Sequence, residues 1–217
     1  MQRTYRRRRK RLNPRFLLLC CVLLALLTGL VWKLRTERGF NGEHVVLPDY
    51  VTPMLLSENP YSRPGTELKR ISGVVIHYVG NPNTSAKANR NYFESLKSGK
   101  TGVMASSHFI VGLEGEVVQC VPLTEVAYAS NQRNSDTVSI EVCHPDEGGQ
   151  YSAVTYDRVV ELTAWICKTF LLDPAEDVIR HYDVTGKICP RYYVEHPEAW
   201  ETLLADVARA MEKEEQK

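Results

Sequence analysis

The chain has 217 residues, 43% of them hydrophobic and 24% charged, and a net charge of +1. That balance hides an asymmetry, because the first 32 residues hold eight basic and no acidic groups while the remainder has 19 basic against 26 acidic. An acidic remainder carries no electrostatic footprint for nucleic acid, and six cysteines at irregular spacing are too few for a disulfide scaffold.

Residues 1–15 hold all eight of those basic groups and read as a cytoplasmic tail. The run "FLLLCCVLLALLTGLVW" over 16–32 has no charge and only Thr28 as a polar interruption, which matches the short end of a membrane-spanning helix. The positive-inside rule then puts everything after Trp32 outside a plasma membrane, as a single-pass protein. A cleaved signal peptide is the competing reading. Against it, the apolar run is long and no small-x-small cleavage site follows. Cys20 and Cys21 also lack the preceding small residues of a lipidation signal. A basic arm for nucleic acid is the third reading. Residues 33–57 form a linker, and the prolines at 48, 53, 60 and 64 mark the stretch to about 70 as a tether or an arm lying on the domain.

From residue 58 to 214 the pattern is that of one globular domain, about the size needed to bury a core. "VVI" before His77 is a short β-branched run, expected as a buried strand. "SAKANRNYFESLKSG" follows as a helix with Ser85 at the N-cap and Gly99 as the stop. "HFIVGLEGEVVQCVP" is a hairpin turning at Glu114–Gly115. "DTVSIEV" alternates, with Val138, Ile140 and Val142 on one face and Thr137, Ser139 and Glu141 on the other. "TYDRVVELTAWICKTFLLD" repeats apolar residues at Val159, Leu162, Ile166 and Phe170 and is a helix ending at Asp173–Pro174. "DVIRH" is a further strand, and the last helix aligns Trp200, Leu203, Leu204, Val207 and Met211. The order β-α-β-β-β-α-β-α predicts an α/β fold with a central mixed sheet flanked by helices. Among Cys120, Cys143, Cys167 and Cys189 one bridge or none is compatible with the spacing, and Cys143 with Cys167 is the pairing we expect if one forms.

The chemistry concentrates in "RHYDVTGKICP", residues 180–190. His181 and Cys189 are two donors of the kind zinc takes, and a catalytic zinc needs a third from elsewhere. His77, where a strand gives way to a loop, is the best candidate. Two alternatives stand beside the metal: a nucleophilic Cys189 with His181 as its base, and a packed loop with no chemistry. Glu141 lies on the polar face of its strand, able to face a cleft or solvent, and Lys187 alone is a surface charge.

Together these residues resemble the zinc-dependent N-acetylmuramoyl-L-alanine amidases, the family of phage lysozyme-like amidases and peptidoglycan recognition proteins. The resemblance runs over about 58–210 in four ordered blocks: "NPYSRPG…ISGVVIHYVGNP", "SSHFIV…GEVVQCVP", "DTVSIEVCHP" and "RHYDVTGKICP". It implies a Zn2+ held by His77, His181 and Cys189, Glu141 as the catalytic acid/base, and Lys187 as the lysine beside the metal. The bond cut, by that resemblance, joins the lactyl group of N-acetylmuramic acid to the L-alanine of the peptidoglycan stem. Two departures stand out. Some members carry tyrosine where this chain has Ser107, and some carry Trp-His where it reads "VAYASNQ", with Tyr128 and Ser130. His108 is expected in the core or behind the site, and His44, His144 and His196 are assigned nothing. The expectation is a monomeric, membrane-anchored, extracytoplasmic zinc amidase. A non-catalytic peptidoglycan-binding module of the same fold is the alternative, and a cysteine peptidase the third reading.

Overall fold

The computed structural model describes residues 22–23, 25–29 and 42–215. Residues 22–23 and 25–29 are helical and exposed, and the Thr28 hydroxyl donates to the Ala25 carbonyl at 3.0 Å. The rest of the expected membrane anchor, 16–32, lies outside the described residues, as does the basic tail. Among the described residues no helix is long and apolar enough to cross a membrane.

From Gly42 onward the described residues belong to one compact unit. Its elements are Val51–Pro53 (β1), Val74–Tyr78 (β2), Ala86–Ser95 (α1), Phe109–Val111 (β3), Val117–Gln119 (β4), Val138–Val142 (β5), Ala153–Phe170 (α2), Pro174–Asp177 (α3), Val178–Arg180 (β6), His181–Thr185 (α4), Arg191–Glu195 (α5) and Pro197–Glu215 (α6). The strands form one six-stranded mixed sheet in the order β1-β4-β3-β5-β2-β6. The β3–β4 hairpin is antiparallel and every other pairing is parallel.

Side-chain alternation divides the core in two. Val74 and Ile76 of β2 join Val138, Ile140 and Val142 of β5 in the larger cluster, which α2 and α6 cover with Val159, Leu162, Ile166, Leu203 and Val207. Beyond the strands, Val79 and Cys143 belong to a second cluster, closed by Ala86 and Phe93 of α1 and by Leu96. The helices form because their apolar residues fall on one stripe and their ends are capped. Ser85 accepts from the Ala88 N–H, and Ser152 from the Thr155 N–H. In the final helix Trp200, Leu203 and Val207 are buried, with Leu204 and Met211 packed beside them.

Several details differ from the sequence expectation. The stretch from residue 42 to about 70 is the arm rather than the tether. Its β1 pairs in parallel with β4, Leu56 and Leu68 are buried, and Arg63 donates twice to the Glu125 carboxylate at 2.7 and 2.6 Å. The linker expected over 33–57 therefore overlaps the sheet. The long helix α2 stops at Phe170 because Leu171 turns left-handed (φ 56°), and Asp173 caps the short α3 instead of ending α2. No bridge joins Cys143 to Cys167, because they belong to clusters on opposite faces of the sheet. Those two, with Cys120 and Cys189, are free buried thiols.

Gly73 shows how tightly β2 and β6 approach. A Cβ there would sit 2.8 Å from the Asp177 carbonyl oxygen, a backbone atom that cannot swing aside. Gly73→Ala is expected to destabilise the domain by about 1–3 kcal/mol through overpacking, read as a lower urea midpoint at unchanged slope.

Candidate metal centre

Because β2, β5 and β6 run parallel, their C-terminal ends open on the same side of the sheet, where α/β folds present their chemistry. The register sets His77 opposite Glu141 and Ile76 opposite Arg180, so His181, the first residue of α4, lies next to the end of β2. Both His77 and Glu141 point away from the larger core cluster, since their neighbours Ile76, Ile140 and Val142 fill it. Cys189 returns to the same point, and its backbone carbonyl accepts from the Tyr182 N–H at 2.8 Å.

The result is a buried trio. One donor atom from each of His77, His181 and Cys189 lies within 4.8 Å of the others. The His77 Nδ1 to Cys189 Sγ distance is 3.9 Å, and the two imidazole centroids are 4.6 Å apart. A tetrahedral zinc with nitrogen and thiolate ligands would hold its donors roughly 3.3–3.6 Å from one another, so the set fits that ion with a small contraction. Both imidazoles also have their outer nitrogens occupied. His77 Nε2 lies 3.1 Å from the Ser130 hydroxyl and His181 Nε2 lies 3.2 Å from Asn131 Oδ1. The inner Nδ1 of each is left for a ligand bond.

Electrostatics point the same way. Burial, then the neighbouring His181 and Lys187, hold His77 well below the ordinary imidazole range. Burial and Lys187 also lower His181. Burial and Glu141 push the Cys189 thiol up to about 12. A thiolate–imidazolium pair needs shifts in the opposite directions, so a nucleophilic Cys189 served by His181 does not suit this environment. Neutral imidazoles and a buried thiol that needs a cation to ionise do suit a metal.

Glu141 is half-buried, and its Oε2 is shielded from solvent with no hydrogen-bond partner. Burial pushes its carboxyl up to about 8, partly opposed by the charge of Lys187. Lys187 itself is exposed on the loop between α4 and Cys189, and its charge acts on Glu141 and on all three members of the trio.

Three neighbours escaped the sequence reading as parts of the site. In the sequence Ser130 stands out only as a departure from the family pattern, and Asn131 does not stand out. Tyr151 donates its hydroxyl to the His77 carbonyl at 3.3 Å. His144, which had no assignment, has its ring nitrogens 2.6 Å from the carbonyl oxygens of Val79 and Asp146, tying together the loops that follow β2 and β5. His108 stays outside the trio. Its Nδ1 accepts from the Ser139 N–H at 3.0 Å and its Nε2 donates to the Glu125 carbonyl at 2.9 Å, while burial lowers it to about 4.

A family model described as N-acetylmuramoyl-L-alanine amidase matches residues 67–192. Among curated proteins, the N-acetylmuramoyl-L-alanine amidase BlyA of Bacillus subtilis (strain 168) is 33% identical over 156 residues, covering 63% of this chain and 41% of that one. The N-acetylmuramoyl-L-alanine amidase CwlL of Bacillus licheniformis is 32% identical over 148 residues, covering 63% and 40%. The chain thus spans about two fifths of the length of these relatives. Among solved structures, the catalytic domain of XlyA superposes with a TM-score of 0.60 at 20% identity, over 72% of this chain and 98% of that one. The Staphylococcus aureus hydrolase AmiA, solved with its ligand, gives 0.57 at 18% identity, over 77% and 85%. These two show the shared fold. The chain belongs to the N-acetylmuramoyl-L-alanine amidase family.

Glu141 supplies a test that needs no substrate. A carboxyl raised from 4.5 to about 8 holds its proton more tightly in the folded state. Its stabilising contribution is therefore complete below pH 4.5 and is lost as pH rises toward 8. In chelated protein at pH 8, Glu141→Gln is expected to raise stability by on the order of 4 kcal/mol. The gain should shrink to about 1 kcal/mol or less at pH 5 in parallel denaturant titrations.

Proposed function

We propose that this family member is a zinc-dependent hydrolase. It cuts the amide between the lactyl group of N-acetylmuramic acid and the L-alanine of the peptidoglycan stem. The observation that carries this reading is the convergence of two imidazoles and a thiol within 4.8 Å, beside a shielded carboxylate oxygen that has no partner. His77, His181 and Cys189 hold the metal, which when bound supplies a Lewis acid and a water of lowered pKa.

Glu141 performs the proton transfers. Its carboxylate accepts a proton from the attacking water and returns it to the L-alanine nitrogen as the C–N bond breaks. One water is consumed, and a lactyl carboxylate and a free amine result. Lys187, exposed to solvent, turns its ammonium toward the oxygen that gains negative charge. The scheme needs no residue from a second copy, and we take the protein to act as a monomer.

We infer in addition that the domain is tethered to the outer face of a plasma membrane. The apolar run 16–32 behind eight basic residues supports this, as does the chemistry of a substrate that lies outside that membrane.

Incubation with purified wall material is the direct test. Wild type should release new L-alanine amino termini, lost on chelation and restored by zinc. Glu141→Gln should lower that release by about 10²–10⁴-fold with zinc content unchanged. Zinc-loaded wild type that releases nothing would instead identify a binding module, and inactivation by alkylation but not by chelators would identify a cysteine enzyme. For the tether, removal of residues 1–32 should move the protein from the membrane fraction to the soluble one.

A further inference from the structure

The outer nitrogens of the two histidines end on neighbouring residues of one loop, far from both in sequence. His77 Nε2 meets Ser130 and His181 Nε2 meets Asn131, at 3.1 and 3.2 Å. We propose that Ser130 and Asn131 are positioning residues that fix the tautomer and ring orientation of both histidines, so that this loop sets the affinity of the site for zinc. The inference rests on the metal reading above and concerns residues that no role there requires.

The chemistry of the acceptors gives the direction. A carbonyl oxygen can only accept, so Asn131 Oδ1 requires the proton of His181 to sit on Nε2. The lone pair is then on Nδ1. A serine hydroxyl can accept as well, so Ser130 takes the Nε2–H of His77 and leaves its Nδ1 toward Cys189, 3.9 Å away. Such outer partners orient imidazole ligands and raise their basicity.

The loop is built to hold both acceptors still. Ser130 is 1% exposed. Asn134 Oδ1 accepts from the backbone N–H groups of Ala129 and Ser130 at 3.0 and 2.5 Å, which fixes the segment that carries the hydroxyl. Asn131 adopts a left-handed backbone (φ 52°), a conformation asparagine tolerates better than most residues. That kink lets consecutive side chains reach histidines on two different elements. The Gln132 amide then donates to the Val184 carbonyl at 3.1 Å, joining the loop to the helix that begins with His181.

The test is zinc binding by full-length protein, measured by competition with a chromophoric chelator, together with the absorption spectrum of the cobalt(II) form. Asn131→Gly keeps the left-handed backbone and removes the acceptor, and should weaken zinc by about 10–100-fold. Asn131→Asp keeps an acceptor at the same point and should bind zinc at least as tightly as wild type, with shifted cobalt bands. Ser130→Ala should weaken zinc by about 10-fold, and Ser130→Thr should restore it. Equal affinities and identical cobalt spectra across wild type, Asn131→Gly and Ser130→Ala would overturn the proposal. So would an Asn131→Asp as weak as the glycine variant. A wild-type protein that takes up neither metal would instead overturn the zinc reading beneath it.

Discussion

The parallel pairing of β2 with β5 and β6 is the constraint on which the site depends. It brings a strand-end imidazole, a carboxyl and the first residue of a helix to one edge of the sheet, opposite a core that keeps those strands in register. A slip of one residue would turn His77 and Glu141 into the large hydrophobic cluster and expose Ile76 and Ile140 in their place. The apolar faces of β2 and β5 therefore hold the chemistry on their other faces in position.

What this register assembles is unfavourable by itself. Two imidazoles are driven toward the neutral form, and a thiol and a carboxyl are driven toward holding their protons. Burial is the first cause in each case. Desolvated groups of this kind persist where something else depends on them. A divalent cation relieves the burden on the thiol and the imidazoles at once, because its charge favours a thiolate and its orbitals take neutral nitrogen lone pairs. It also lowers the free energy of the ionised carboxylate next door, which a base requires. The charge of Lys187 already acts in that direction on Glu141 and Cys189, from an exposed position.

The parts of this arrangement that the sequence makes legible are those encoded locally. Ser85 caps its helix, Glu114–Gly115 turns the hairpin, and the alternation through β5 sends Glu141 to the polar side, each within a window of a few residues. The donor types in "RHYDVTGKICP" are equally plain. Elements that exist because of distant partners are not. β1 is three residues long and forms only because β4 offers an edge. The five-residue α4 has no period to detect, and its start is closed by Asp183, whose Oδ2 accepts from the Arg180 backbone N–H at 2.8 Å. Ser130 and Asn131 sit in a polar stretch that reads as an ordinary turn, and their contacts to His77 and His181 span 53 and 50 residues. Of the two outcomes the cysteine spacing allowed, one bridge or none, the structure has none among the described residues, and nothing local reveals which face of a sheet a thiol such as Cys143 or Cys167 will join.

The order of the strands has a mechanical side. The chain enters this domain along β1, and β4, β3 and β5 separate that strand from β2. Four inter-strand spacings amount to about 19 Å. A pull arriving from ahead of Val51 meets the packing of Val45, Leu47 and Tyr50 on the larger core, then the three ladder pairs of β1 with β4 and the grip of Arg63 on Glu125. The strands that carry the imidazoles and the carboxyl lie on the far side of the β3–β4 hairpin from that edge, so the incoming chain can loosen there without disturbing their register.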